Sequence, residues 1–435
     1  MKFLILVCSI TLFITNNLSA QTKISLTEAN EILKSNNTNI KQAALQEKIS
    51  RIELDQAYDN LMPNLGFSMN NQNTMGLNFD QITGQLITGN QWTHFVNANV
   101  NSSITIFQGF RGYNNIQLSK VNLDLSKMDT ERLKYELQIQ LINLYFQSLI
   151  NYDLYQAATS QSKLSEQLVL AEDSKLETGK STILDLAQAQ SKLANDQLNL
   201  TNAKNAYDLS MFKLKQLLEL DDEIELIKPV VIQQEPLLNE YTIAVNDPYL
   251  KIVNRKIDQS IINNRLAKSG YYPTISFNTG YGTNYSSQRF TSSYSSKVMP
   301  LIDQMNSNRS LYLNFTLSYN IFDKNNTKAS IIKSNINTES LKLEREKVIR
   351  ERAQTYNQLK LEWSAAVEEN KAIESAYTSS KMNYEAMKER FEVGKNSSID
   401  LFKALTDFNM NEFRKITSSY NILLKEELIK LQISE

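Results

Sequence analysis

Leu176-Glu-Thr-Gly-Lys-Ser-Thr-Ile-Leu-Asp-Leu-Ala-Gln-Ala189 and Phe391-Glu-Val-Gly-Lys-Asn-Ser-Ser-Ile-Asp-Leu-Phe-Lys-Ala404 lie 215 residues apart and read almost alike. Glu, Gly, Lys, Asp, Leu and Ala recur at matching positions without a gap. Self-similarity over so long a separation points to a duplicated unit, and this fixes the architecture before any single element is considered. Each Gly-Lys pair stands between two long helical patterns, so each copy reads as the tip of a helical hairpin.

The repeat extends outward from the tips. Ala57-Tyr-Asp-Asn-Leu-Met-Pro63 precedes one strand-like run, and Ala267-Lys-Ser-Gly-Tyr-Tyr-Pro273 precedes another. Ser103-Ile-Thr-Ile-Phe107 ends one strand pattern and Tyr319-Asn-Ile-Phe322 a second, with Phe107 and Phe322 in register. Each copy therefore has the order helix, strand, loop, strand, very long helix, Gly tip, helix. The predicted organisation is a signal peptide at 1–20, a first repeat at 24–225, a linker or equatorial segment at 226–241 and a second repeat at 242–435.

Glycine and proline are scarce, with 11 and 6 in 435 residues. None falls between Tyr113 and Thr178 or between Leu301 and Val393. These residues weaken helix interiors, by about 1 kcal/mol for Gly and about 3 for Pro, so the gaps predict unbroken helices. At ~1.5 Å per residue each such helix is roughly 100 Å long. Apolar residues form a thin helical stripe, with Leu118, Val121, Leu125, Leu133, Leu137, Leu141 and Leu144 in the first. Ile183, Leu186, Leu193, Leu198 and Leu200 are expected to form the stripe of its return helix. A narrow stripe suits coiled-coil pairing, whereas a globular core needs a wider face.

Four segments change to a period of two. Leu65, Phe67 and Met69 form one apolar side, and Val96, Ala98 and Val100 another. Ile275, Phe277, Thr279, Tyr281 and Tyr285 alternate with Thr274, Ser276, Asn278, Gly280 and Asn284. Leu311, Leu313, Phe315, Leu317, Tyr319 and Ile321 alternate with Tyr312, Asn314, Thr316, Ser318 and Asn320. Alternation of this kind fits a membrane barrel with its polar side inward. It equally fits a soluble antiparallel sheet with one buried face. The export signal and the Asn, Ser and Thr on the polar side favour the barrel. Trp92, Tyr271, Tyr272 and Tyr312 fall near strand ends, where an aromatic girdle is expected. The segments from Asn78 to Gln91 and from Ser286 to Asn308 read as long polar loops. Four strands cannot close in lipid, where known barrels begin at about eight, so the barrel must be shared between copies.

Met1-Lys2, the apolar run Phe3 to Ile14 and Leu18-Ser19-Ala20 have the form of a cleaved secretory signal. Beyond it there is no cysteine, because Cys8 is the only one, and a net charge of -1 leaves no footprint for nucleic acid. His94 is the only histidine, so no His relay or multi-His metal site can form, and no catalytic set or cofactor site is visible.

The whole mature sequence resembles the TolC-like outer-membrane efflux family. The resemblance rests on Ser25-Leu-Thr-Glu-Ala29, Asn246-Asp-Pro-Tyr-Leu250, Pro63, Pro273 and both Gly tips, in order and duplicated. It implies an α+β membrane protein that forms a homotrimer. A 12-stranded β-barrel in the outer membrane lipid would continue as an α-helical barrel in the periplasm. Such a trimer is a passive duct for an inner-membrane RND or ABC transporter, reached through a periplasmic adaptor. The resemblance assigns adaptor contact to Thr178, Gly179, Lys180, Val393, Gly394 and Lys395. It places the periplasmic gate at Asp185, Phe391, Asn396, Asp400 and Lys403. Here the family's tyrosine and arginine gate partners are replaced by Phe391 and Asn396, and a second acidic ring position by Lys403. From the residues alone, Thr182-x-x-Asp185 and Ser397-x-x-Asp400 also read as helix caps. The competing reading is a periplasmic coiled-coil adaptor or structural protein, although an adaptor would carry one hairpin and not two.

Overall fold

The computed structural model describes residues 22–229, 247–292, 296–393 and 395–433. The expected signal peptide, all but the start of the 226–241 linker, and Gly394 lie outside the described residues. The chain divides into two compact units, each drawn from both sequence repeats. One comprises Ala43–Thr130 and Pro248–Ile349; the other comprises Met1–Gln42, Glu131–Asp247 and Arg350–Glu435.

In the second unit, β1 (Thr22–Ile24) pairs in parallel with β6 (Ile224–Leu226). The Tyr145 hydroxyl lies 2.9 Å from the Ile24 carbonyl and 2.6 Å from that of Ile227, tying both strands to the long helix beneath. Helix α1 (Leu26–Asn36) opens on a capping box in which Ser25 and Glu28 satisfy each other's backbone N–H groups. It stops at Asn37, and α2 (Thr38–Asp59) follows. The break is fixed from outside, because Asn37 donates to the Leu217 carbonyl at 3.1 Å and the Glu219 carboxylate accepts from Thr38 at 2.7 and 2.8 Å. The core here is Leu33, Leu141, Tyr145, Phe146, Leu149, Leu214 and Leu218, all buried.

The two long helices are α3 (Arg111–Glu177) and α7 (Asn326–Glu392), each of 67 residues. Both are unbroken, as the glycine and proline gaps predict. A pair of left-handed residues precedes each, Gly109-Phe110 and Lys324-Asn325, so the strand-to-helix corner is repeated as well. Helix α4 (Ile183–Leu218) returns from the first tip, and α8 (Ser398–Ile433) from the second.

The return stripe differs from expectation. Ile183 is 77% and Leu198 57% exposed, while Ala189 and Asp196 are buried. The seam runs through 189, 193, 196 and 200, alternating steps of four and three. Leu193 and Leu200 of the expected stripe lie on it, and between them and before them the seam takes a carboxylate and a small residue, Asp196 and Ala189.

The other unit is organised by a sheet of order β2 (Asn64–Met75), β5 (Trp92–Gln108), β7 (Thr274–Ser286) and β8 (Ser310–Ser318), antiparallel throughout. Helix α5 (Pro248–Lys268) precedes β7. The segments expected as plain loops carry structure: a hairpin of β3 (Asn78–Asp80) and β4 (Gln85–Ile87), and the short helix α6 (Leu301–Ser307). Ser286 joins them. Its hydroxyl donates to buried Asp80, and its backbone exchanges hydrogen bonds of 3.0 and 2.9 Å with buried Gln304.

Two further sequence expectations are corrected. Strand β8 ends at Ser318, leaving Tyr319 to Phe322 outside it. Its partner β7 begins at Thr274, opposite Ser318, and offers no ladder beyond. Tyr312 does not belong to a girdle on the apolar side: it shares a cross-strand row with Gly66, Asn101 and Gly280 on the polar side. Trp92 does open a strand, and Tyr271 and Tyr272 immediately precede one.

Candidate functional site

The hairpin tips carry most of the residues singled out from the sequence. Helix α3 ends in a Schellman motif: the Gly179 N–H donates to the Leu176 carbonyl at 3.0 Å and the Lys180 N–H to that of Lys175 at 2.8 Å. Gly179 has φ +74°, a conformation that costs an L-residue about 1–2 kcal/mol. At the second tip the Lys395 N–H bonds back to the Arg390 carbonyl at 2.8 Å, giving the same closure. Thr178, Gly179, Lys180, Val393 and Lys395 are all exposed. Exposed apolar side chains surround them, with Ile183 77%, Leu184 65%, Val393 68% and Ile399 55% accessible.

Both predicted caps form. Asp185 completes a capping box with Thr182, accepting from its hydroxyl at 2.6 Å and its N–H at 3.1 Å. The Ser397 hydroxyl donates to Asp400 at 2.8 Å and accepts the Asp400 N–H at 3.2 Å. Carboxylates here also meet the positive ends of their helices.

The structure joins the two hairpins through a residue the sequence reading missed. The buried Ser398 hydroxyl donates to the free Oδ1 of Asp185 at 2.6 Å. This hydrogen bond, followed by those from Thr182, holds the Asp185 carboxyl below its ordinary range. Behind it Leu164 and Leu168 of α3 pack against Tyr384, Leu401, Ala404 and Leu405 of α7 and α8. Phe391 lies under the Lys175 ammonium, which is 3.5 Å from the ring centroid and 3.1 Å from buried Glu172. The Glu172 carboxylate also accepts from Ser181 at 2.6 Å. Asn396 contacts the Met387 sulfur at 2.7 Å. Asp185, Phe391 and Asn396 thus lie in one packed joint. Asp400 and Lys403 lie outside it, exposed one turn apart on α8, opposite the face of Leu401 and Leu405.

One signal for Ser398 was available, since the aligned position in the first tip is Ile183. The mismatch falls inside an otherwise matching stretch. Lys175 and Glu172 gave no signal, because an i, i+3 pair on a charged helix usually marks a solvated surface.

His94, the third residue of β5, pairs with the Asn73 side chain across the strands. Trp363 packs beside Tyr356 and Ile429 and donates to buried Glu426 at 3.3 Å. Neither belongs to a candidate metal cluster among the described residues.

The sheet of the other unit is a separate candidate surface. Phe67, Val100, Tyr281 and Leu311 form one row of a continuous apolar side. Leu65 is 78%, Phe67 70%, Leu313 65%, Phe315 70% and Leu317 67% exposed. Strands β2 and β8 are left as edges, each paired on one side only. A soluble antiparallel sheet would bury one face, and this one buries neither. No helix among the described residues is long and apolar enough to cross a membrane.

Solved structures of the same fold include CusC, in work on conformational changes during folding and transmembrane channel formation. It superposes with a TM-score of 0.80 at 15% identity, over 94% of this chain and 91% of that one. The CmeC outer membrane channel of Campylobacter jejuni gives 0.78 at 16% identity, over 94% and 85%. The outer membrane protein VceC of Vibrio cholerae gives 0.76 at 12%, over 94% and 96%. Comparison with curated protein sequences gives no match. A family model described as outer membrane efflux protein matches residues 29–219 and 241–430, most of both repeats. The chain therefore belongs to the outer membrane efflux protein family.

Proposed function

We propose that three copies of this chain assemble into a passive exit duct in the outer membrane. The duct serves a tripartite efflux or type I secretion system. The exposed apolar side of the four-stranded sheet, with its two unpaired edges, carries this reading. Lipid tolerates no open edge. With an even number of antiparallel strands, β8 of one copy runs antiparallel to β2 of the next. Two copies would give eight strands and a filled interior, whereas three give twelve and room for water. The two repeats, 24–225 and 242–435, then contribute two hairpins per copy and six tips around one periplasmic mouth.

The exposed tips, with their rim of Ile183, Leu184, Val393 and Ile399, suit docking of a periplasmic adaptor that links the duct to an RND or ABC transporter. The Asp185–Ser398 bond serves as the latch of the gate. Asp400 and Lys403 form its charged mouth. Isolation of heat-modifiable trimers from the outer-membrane fraction tests the assembly. A soluble periplasmic monomer would exclude it and favour the adaptor reading.

A further inference from the structure

β2, β5, β7 and β8 contain no Asp, Glu, Lys or Arg, in a chain that is 21% charged. The polar side of the sheet is mostly Asn, Ser, Thr and Gly; Gln72 and Phe95 pair on it between β2 and β5, and Tyr312 is its one large side chain where β7 and β8 pair. Its ring lies over Gly280, and its hydroxyl donates to Asn101 Oδ1 at 3.2 Å. A Cβ on Gly280 would stand 2.5 Å from Tyr312 Cε1 and 2.6 Å from Asn101 Oδ1, closer than side chains pack. The next notch along β7 is already full, since a Cβ on Gly282 would fall 1.9 Å from Asn99 Oδ1. Of the two notches on β7, only that of Gly280 is left for the ring.

We infer that Tyr312, seated in the notch left by Gly280 and held by Asn101, sets the bore of the barrel. This rests on the trimeric duct with its polar side inward. A wall without charge offers no electrostatic filter, so pore width and hydrogen-bonding groups are what a passing solute meets there. With the ring flush the wall is smooth. With that seat closed, the ring would turn away from the wall toward the axis, and three rings would do so at one level.

Electron cryomicroscopy of the wild-type and Gly280→Ala trimers in lipid nanodiscs tests this. The expected result is a ring flat against the sheet in the wild type and turned toward the axis in G280A, with a narrower bore at that level. A ring that stays against the wall in G280A overturns the inference. Should G280A yield no trimer, Asn101→Ala removes the anchor without adding an atom. Loss of the ring from its seat in N101A supports the proposal, and a ring still over Gly280 overturns it. A wild-type assembly with the polar side outward would instead overturn the duct reading, independently of where the ring lies.

Discussion

Asp185 accepts hydrogen bonds from two sources that can be separated by mutation. Thr182 caps the same helix, while Ser398 belongs to the other hairpin. Ser398→Ala therefore removes this hydrogen bond between the hairpins and spares the cap. It is expected to raise the open probability of the channel in planar bilayers. Asp185→Ala should do the same, and the double variant should open no further than D185A, since both remove one bond. Additive effects would place the latch elsewhere. The sign of the pH dependence follows from the depressed carboxyl. Its contribution is complete above the ordinary aspartate value of about 3.9 and is lost only as pH falls through the lower, bonded value. Conductance should thus be flat from about pH 5 to pH 8, and an opening near pH 6 would contradict this. At the mouth of the proposed trimer, three Lys403 ammonium groups would offset three Asp400 carboxylates, so cation preference should be weak. Lys403→Glu should strengthen it, as read from reversal potentials under a salt gradient.

Helix α4 shows what a coiled coil does with a polar seam. Buried Asp196 accepts from Gln161 at 2.7 Å, from Ser165, and from Lys192 at 2.7 Å. Asp196→Ala strands these donors and should cost roughly 3 kcal/mol, the low end for a broken buried pair, because Lys192 keeps some access to water. Asp196→Asn keeps an acceptor and should cost less. Urea denaturation of the purified trimer would rank them, and equal effects would mean that the seam tolerates the loss. This cluster also shows where the sequence stopped being legible. Long helices are announced by missing Gly and Pro, and strands by alternation, because both are local properties of backbone and solvent. A seam residue is chosen by the helix opposite, so Leu198 read as part of the stripe and Asp196 did not, whereas Leu198 is exposed and Asp196 buried. The tips were legible for a related reason: Gly179 and the two caps act within their own turns. The joint between tips was not, since Ser398 finds Asp185 only after two hairpins pack side by side.

For the whole molecule, the decisive question is which side of the sheet meets lipid. Phe315 and Asn314 are neighbours on β8, an edge strand exposed along its whole length, so neither substitution disturbs a packed core. Their side chains point to opposite faces, because a strand alternates at every residue. Lysine on the lipid face of a barrel costs roughly 2–4 kcal/mol near mid-depth and far less on the wet face. A trimer multiplies the difference by three, enough to decide assembly. Phe315→Lys should therefore abolish heat-modifiable trimers in the outer-membrane fraction. Asn314→Lys should assemble normally and shift the open channel toward anions, since three ammonium groups would then line a wall that carries no charge of its own. The reverse pattern would turn the sheet inside out. Loss of assembly in both variants would mean that β8 is covered on each side by protein, as in a soluble sheet, and the adaptor reading would regain its force.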